Sequence, residues 1–150
     1  MKYFPTQEIG SLAKPNWFVR PNTGKPASSA DMAELEYWSD ELCIGAGISD
    51  EAAKLATRNN LNATAKARLR EIAGIYAIAL QEIAGLDIVY TGEQFRSEMY
   101  DYAVRHIIGM EPIGRVQSFD HNYYLKWALT SQPGLRQGPY HTQELCFANE

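Results

Sequence analysis

An alanine-rich segment, residues 62–84, carries the strongest periodic signal in the chain. Apolar side chains recur there every three or four positions, which places them on one face of a helix, and alanine has the highest helix propensity of all residues. Gly85 follows and suits the left-handed position just after a helix. The apolar side chains of the stripe are Leu69, Ile72, Tyr76, Leu80 and Ile83. The pattern predicts a long helix that buries one face.

Shorter helices are predicted before this one. Residues 13–26 contain three prolines and a glycine, and they predict an irregular connection. Ser28 or Ser29 is then expected to cap a helix that reaches Leu42. Ser49 is predicted to cap a further helix over residues 50–57. The first half of the chain is therefore expected to be mainly helical.

The second half alternates between strand-like and helix-like segments. Residues 86–90 are rich in β-branched and aromatic side chains, residues 94–107 suit a helix, and residues 114–119 suit another strand. Residues 2–9 would supply a first strand, and no strand is predicted beyond residue 119. Alternation of helix and strand is typical of a parallel sheet, so the predicted fold class is α/β.

Three predicted strand ends carry polar residues, and ligands of parallel α/β proteins bind at the carboxyl ends of strands. Gly10 and Ser11 follow the first, Glu93 follows the second, and Gln117 and Ser118 lie in the third. Each has a structural alternative when taken alone. Gly-Ser is a common turn, and a glutamate at the start of a helix stabilises the helix dipole.

Composition limits the classes of function. The 150 residues include 14 basic and 18 acidic side chains, a formal net charge of −4, and no basic cluster of the kind that nucleic-acid binding requires. Cys43 and Cys146 lack metal-type spacing and are interpreted as reduced thiols. The start of the chain has no signal-peptide pattern, and no apolar run is long enough for a membrane span. A cytoplasmic protein without nucleic-acid or membrane partners is expected.

The motifs at the three strand ends, taken together, resemble a known family. TQEIGSL at 6–12, GEQFRSEMYDY at 92–102 and GRVQSF at 114–119 are similar in order and spacing to the catalytic barrel of cobalamin-independent methionine synthase, in its short, single-barrel archaeal and bacterial form. The resemblance implies a TIM-type (β/α)8 barrel, of which residues 1–150 would be an N-terminal, incomplete part. Residues 14–60 form an insertion-like, irregular and helical region within it.

The resemblance also implies an activity, the transfer of a methyl group to the thiol of homocysteine to form methionine. It places the carboxylate of the amino acid on residues 9–11 and the ammonium group on Glu93. It puts Gln117 and Ser118 on the side of the methyl donor. A zwitterion held at two points agrees with the residue types, because N–H and hydroxyl groups favour a carboxylate and a carboxylate favours a cation. The residues implied to contact the amino acid are Ile9, Gly10, Ser11 and Glu93.

The same resemblance implies a zinc ion that holds the thiolate. The zinc ligands of the family lie in the second half of the barrel, and none is matched in this chain, so neither a metal ligand nor a catalytic residue is assigned. A barrel of this type needs roughly 200 residues or more. The chain alone is therefore expected to be inactive and to associate with the remainder of the barrel or with a second copy. The expected methyl donor is a methylcorrinoid protein or a folate.

Two other functions stay open from the sequence. One is a methyltransferase of the same barrel superfamily that acts on another thiol, for which an acceptor without an amino group would not need Glu93. The other is a non-catalytic, stand-alone module.

Overall fold

The computed structural model describes residues 4–96, 103–117 and 123–136. Contacts divide these residues into two compact units, one of residues 4–95 and one that begins at residue 96. The first unit is helical and the second is a β-hairpin. The elements in the described ranges are α1 (Asn16–Asn22), α2 (Ser29–Glu41), α3 (Ala46–Ala56), α4 (Ala63–Ile83), β1 (Ile107–Gln117) and β2 (Tyr123–Leu135).

The predicted helices α2 and α4 are confirmed, and of the two candidate caps of α2 the structure has Ser28. Ser28 caps α2 through a capping box, in which its hydroxyl accepts from the Asp31 N–H while the Asp31 carboxylate accepts from the Ser28 N–H. Asn62 caps α4 by accepting from the N–H of Ala65 at 2.9 Å. These local polar contacts satisfy N–H groups that have no partner within the helix.

Gly85 ends α4 as predicted. It has a φ of 77°, its N–H donates to the Glu82 carbonyl, and the N–H of Leu86 donates to the Gln81 carbonyl. This pair of bonds is the Schellman motif. Cys43 performs the same role after α2 with a φ of 52°, although it carries a side chain.

Two helix predictions need correction. Residues 13–26 contain α1, where a fully irregular connection was predicted. Pro15 stands at the N-cap and Pro21 in the last turn. Neither proline ring lies in the middle of this short helix, where it would break a hydrogen bond of the helix. Helix α3 begins after Gly45 and not after Ser49, which lies inside the helix and donates its hydroxyl to the Ala46 carbonyl.

The core of the first unit lies where the four helices meet. Helix α4 contributes its predicted stripe, of which Leu69 and Ile72 are fully buried. Trp17 of α1 packs on Tyr76 with ring centroids 5.1 Å apart, and Leu35 of α2 is buried beside them in the same cluster. Leu80 and Ile83 of the predicted stripe are exposed, so the buried face ends before the helix does.

The predicted parallel sheet, and with it the partial TIM-type barrel, is wrong for the described residues. Their two strands, β1 and β2, are antiparallel. Of the predicted first strand, residues 2–3 lie outside the described residues. Residues 4–9 and 86–90 form no strand, and a single parallel bridge joins Gln7 to Ile88. Strands of a parallel barrel are buried on both faces, whereas Ile9 is 84% exposed and Ile88 is 47% exposed. Of the predicted helix over 94–107, residues 97–102 lie outside the described residues. In the described part residues 94–95 belong to a turn, 103–104 are helical and Ile107 begins β1, so a continuous helix to residue 107 is wrong.

The hairpin of the second unit includes a strand that the sequence did not predict, β2. Strand β1 contains the predicted 114–117 but begins earlier, and two irregularities of register interrupt the pairing. Gly109 stands at the first of them with a φ of 86°, where an added Cβ would lie 2.6 Å from the Ser131 carbonyl oxygen. Strand β1 thus contains glycines and a proline, residue types that are typical of turns and that sequence patterns therefore exclude from strands.

Candidate functional site

Two chain segments, residues 6–12 and 87–93, run side by side in the first unit. The carboxylate of Asp87 accepts from both the N–H and the hydroxyl of Thr6, each at 2.9 Å. The N–H of Ile88 donates to the Thr6 carbonyl at 3.1 Å, next to the bridge that includes Gln7. These bonds fix the relative register of the segments, which carry the predicted site residues.

The far ends of the two segments also meet. The Ser11 hydroxyl donates to Oε2 of Glu93 at 2.5 Å, and the Leu12 N–H donates to the Gly92 carbonyl at 3.2 Å. The Tyr90 hydroxyl donates to the carbonyl of Gly10. Four of the predicted site residues, Ile9, Gly10, Ser11 and Glu93, therefore lie within one small region of the first unit.

The backbone at Gly92 and Glu93 is unusual. Both residues have positive φ, 62° and 59°, and such angles are uncommon for a residue with a side chain such as glutamate. Gly92 also lies against Leu12, whose Cδ1 would be 2.8 Å from an added Cβ. The Nζ of Lys14 donates to the Glu93 carbonyl at 2.9 Å and holds the peptide in this conformation.

Helix α4 supports the segment that carries Glu93. Gln81, which is buried, donates from Nε2 to the Tyr90 carbonyl at 2.6 Å and accepts at Oε1 from the Tyr90 N–H at 3.3 Å. Its Nε2 also donates to the Ala77 carbonyl within the helix. One glutamine side chain thus satisfies both backbone groups of Tyr90, three positions before Glu93.

The region around Ser11 and Glu93 is polar and open to solvent. The side chains of residues 9–11 are exposed and Glu93 is half-buried. The N–H groups of Gly10 and Ser11 have no acceptor among the described residues. A carboxylate, a hydroxyl and two N–H groups therefore lie in the same part of the first unit. The carboxylate can accept from a cation, and the hydroxyl and N–H groups can donate to an anion.

Gln117 and Ser118 belong to the second unit. Gln117 ends β1, where it is exposed and pairs with Tyr123, and Ser118 lies outside the described residues. Their role beside a methyl donor stays a prediction.

Three supporting residues were not identified from the sequence: Lys14, Gln81 and Tyr90. Their hydrogen bonds join positions that are 9 to 80 residues apart. Lys14 follows the IGS motif by three positions, and Tyr90 precedes Glu93 by three. This closeness to the motifs was the only sequence feature that could have indicated a role for Lys14 and Tyr90. No sequence pattern marked Gln81, which lies on the predicted helix among helix-forming residues.

The described ranges contain no group of three or more histidine, cysteine, aspartate or glutamate side chains that could hold a metal ion. Cys43 is a free, exposed thiol. His121, His141 and Cys146 lie outside these ranges. The residues at hand therefore do not fit the implied zinc ion. In the same ranges no helix is long and apolar enough to cross a membrane.

Comparison with known proteins gives the class that this chain resembles, which is methionine synthase. Methionine synthase of Thermoplasma acidophilum is 30% identical over 143 residues, which cover 95% of this chain and 31% of the relative. Methionine synthase of Thermoplasma volcanium is 38% identical over 80 residues, or 53% of this chain and 23% of the relative. The chain thus spans less than a third of the length of these relatives. No family model matches it, and neither does a solved structure.

These similarities support a relationship with archaeal methionine synthases. They agree with the family that the motifs resemble and with the theme of methionine biosynthesis.

Proposed function

We propose that this chain supplies the amino-acid-binding part of a cobalamin-independent methionine synthase, an enzyme that transfers a methyl group to the thiol of homocysteine. Support comes from the similarity to archaeal methionine synthases and from one observation in the structure. That observation is the contact between Ser11 and Glu93, which joins the two motifs implied to hold opposite ends of the amino acid.

Ligand binding would exchange one hydrogen bond for several. In the free protein the Ser11 hydroxyl donates to the Glu93 carboxylate. The ammonium group of an amino acid is a stronger, charge-assisted donor, and it would take the place of the hydroxyl on Glu93. The hydroxyl is then free to donate to the ligand carboxylate, beside the N–H groups of Gly10 and Ser11. The Ser11 hydroxyl and the Glu93 carboxylate are hydrogen-bonded in both states, and binding leaves neither group newly unpaired.

Methyl transfer requires the thiol to lose its proton, a new sulfur–carbon bond to form and the bond between the methyl group and its donor to break. A zinc ion, when bound, would stabilise the thiolate. No ligand set for zinc is found in the described ranges. We therefore assign this chain the binding and orientation of the amino acid, and we place the zinc ligands and the remainder of the catalytic machinery elsewhere in the complete enzyme.

Calorimetry on the full chain tests the proposal with three ligands. L-Methionine has both charged groups, 4-(methylthio)butanoate lacks the ammonium group, and 3-(methylthio)propylamine lacks the carboxylate. Each truncated ligand should bind about 10-fold to 100-fold more weakly, since hydrogen bonds to charged groups contribute about 1.5–3 kcal/mol each. Equal binding of all three would contradict the proposal. If the ligand without an ammonium group binds as well as methionine, an acceptor other than homocysteine is indicated.

A further inference from the structure

A cavity in the first unit is lined by none of the four residues proposed to contact the amino acid, although Lys14, which donates to the Glu93 carbonyl, forms part of its wall. It has a volume of about 330 Å³ and lies between α2, α4 and the segment that leads into α1. Small-molecule sites begin at about this size, roughly 300 Å³. Its apolar walls are formed mainly by Pro15, Trp17, Trp38, Leu42, Tyr76 and Leu80.

The walls combine a fixed inner part with an accessible rim. Trp17 and Tyr76 are buried and packed on each other, and the Tyr76 hydroxyl is held by Ser39 at 2.6 Å. Trp38 and Leu80 are partly exposed, 37% and 40%, on neighbouring helices. A flat apolar group that enters between Trp38 and Leu80 would reach the buried aromatic rings.

One polar group of the lining has no partner. Gln94 is 2% exposed, and its Nε2 points to the carbonyls of Gly92 and Leu12 at 3.3 and 3.5 Å, which fixes the orientation of the amide. Its Oε1 is buried and accepts no hydrogen bond from any described residue. Buried carbonyl groups are rarely left without a donor. The oxygen is closed to solvent in the free protein, so an N–H group of a bound molecule would supply the donor as the side chains of the lining move apart.

The charges around the cavity favour a neutral molecule. Lys14 and Glu34 both line it, so the two formal charges are of opposite sign. The remaining lining is mostly apolar, and a charged ligand would lose hydration without a dedicated partner.

We propose that this cavity binds a neutral, planar aromatic molecule with one N–H group, which stacks between the two tryptophans and donates to Gln94 Oε1. The site is distinct from the Ser11–Glu93 pair, and the inference does not depend on the proposed function.

Indole and benzofuran are matched probes, because benzofuran has the same shape and an oxygen in place of the N–H. Titration of the ¹⁵N-labelled full chain can be followed at the indole N–H signals of its tryptophans. The signals of Trp17 and Trp38 should shift saturably. Trp127 of the hairpin does not line the cavity and serves as an internal control. Indole should bind at least about fivefold more tightly than benzofuran, as expected for one buried hydrogen bond.

Two variants complete the test. Gln94→Met removes the acceptor and should make the affinities for indole and benzofuran equal. Trp38→Ala alters only the rim and should weaken both probes at least about threefold through loss of the aromatic contact.

Three results would overturn the inference. The first is the lack of saturable shifts up to the solubility limit of indole. The second is equal affinity of the two probes for the unmodified protein. The third is a shift of the Trp38 signal with protein concentration alone, which would make another polypeptide the occupant of the cavity.

Discussion

The hydroxyl of Ser11 donates to the carboxylate of Glu93 at 2.5 Å, although the two residues are 82 positions apart in the chain. Ser11 follows Gly10 and Glu93 follows Gly92, and both glycines have positive φ. The close approach therefore depends on two backbone turns as well as on the side chains. Changes at the turns and at the carboxylate should have separable effects on stability and on binding.

Replacement of Glu93 by glutamine should weaken the binding of L-methionine by about 1.5–3 kcal/mol, because the ligand ammonium group loses a charged acceptor. Calorimetry measures the change. Glu8→Gln, an exposed neighbour of the site with the same change of charge, is the matched control and should leave affinity unaltered. Unchanged affinity in Glu93→Gln would leave Glu93 without a role in binding.

Gly92→Ala should destabilise the protein by about 2–4 kcal/mol. The added Cβ meets Leu12 at 2.8 Å, and a φ of 62° is unfavourable for alanine. Urea unfolding gives the free energy. In a Leu12→Ala background the same substitution should cost about 1 kcal/mol less, because the overlap with the side chain is partly removed. A cost that is the same in both backgrounds would attribute the whole effect to the backbone angle.

Gln81→Met should destabilise the first unit by about 1–3 kcal/mol, since the partly buried N–H and carbonyl of Tyr90 lose the Gln81 side chain as a partner. Methionine binding should also weaken, because the segment that carries Glu93 is less firmly held. Glu82→Met, on the exposed face of the same helix, controls for helix propensity and should affect neither quantity. Normal stability of Gln81→Met would exclude the supporting role.

Ser28→Ala should destabilise α2 by about 1 kcal/mol through loss of the capping box. Ser29→Ala, at the exposed first helical position, is the control. Thermal unfolding monitored by circular dichroism at pH 7 compares the two. Equal effects would show that the cap contributes nothing specific.

The effect of Ser28→Ala should also depend on pH. Hydrogen bonds from the Ser28 hydroxyl and N–H, with a smaller contribution from Arg20, lower the pKa of Asp31 in the folded protein. Stability from a lowered carboxylate pKa is fully present above the unfolded value, near 4, and is lost as the pH falls through the folded value. The difference in stability between the original protein and Ser28→Ala should therefore shrink below about pH 4.

Cys43→Gly should stabilise the protein by about 0.5–1 kcal/mol, because glycine adopts the φ of 52° after α2 without steric cost. Cys43→Ser removes the same thiol but keeps the Cβ, and it should leave stability nearly unchanged. A gain in both variants would point to the thiol and not to the backbone.

Local signals explain the parts of the fold that the sequence predicted. The Ser28 cap, the Asn62 cap and Gly85 each act within a few residues. Gly85 was predicted, Ser28 was one of two candidate caps, and Asn62 begins the periodic segment that predicted α4. Prediction failed where pairing partners decide the structure. Residues 86–90 have the composition of a strand, yet in the described ranges they form only one β-bridge, between Ile88 and Gln7, and no β-ladder. Ile88 stays exposed.

In the candidate site, too, local motifs could be predicted from the sequence and contacts between distant residues could not. Glu93 and Ser11 were proposed from motifs, and their proximity is a non-local fact that composition does not contain. Lys14 and Gln81 fix the backbone around Glu93 through hydrogen bonds to main-chain carbonyl groups. Such bonds leave almost no trace in sequence, because many lysines and glutamines have the same neighbours. In β1, Gly109 and Pro112 resemble turn residues and are tolerated because the pairing is interrupted beside them.

The division of the chain into a helical unit and a hairpin unit has a thermodynamic consequence. A melting curve of this protein need not be a single transition, since two-state behaviour holds for chains that unfold as one cooperative body. The calorimetric enthalpy would then exceed the van't Hoff enthalpy. A single melting temperature read from helical ellipticity would describe the four helices and give no measure of the hairpin.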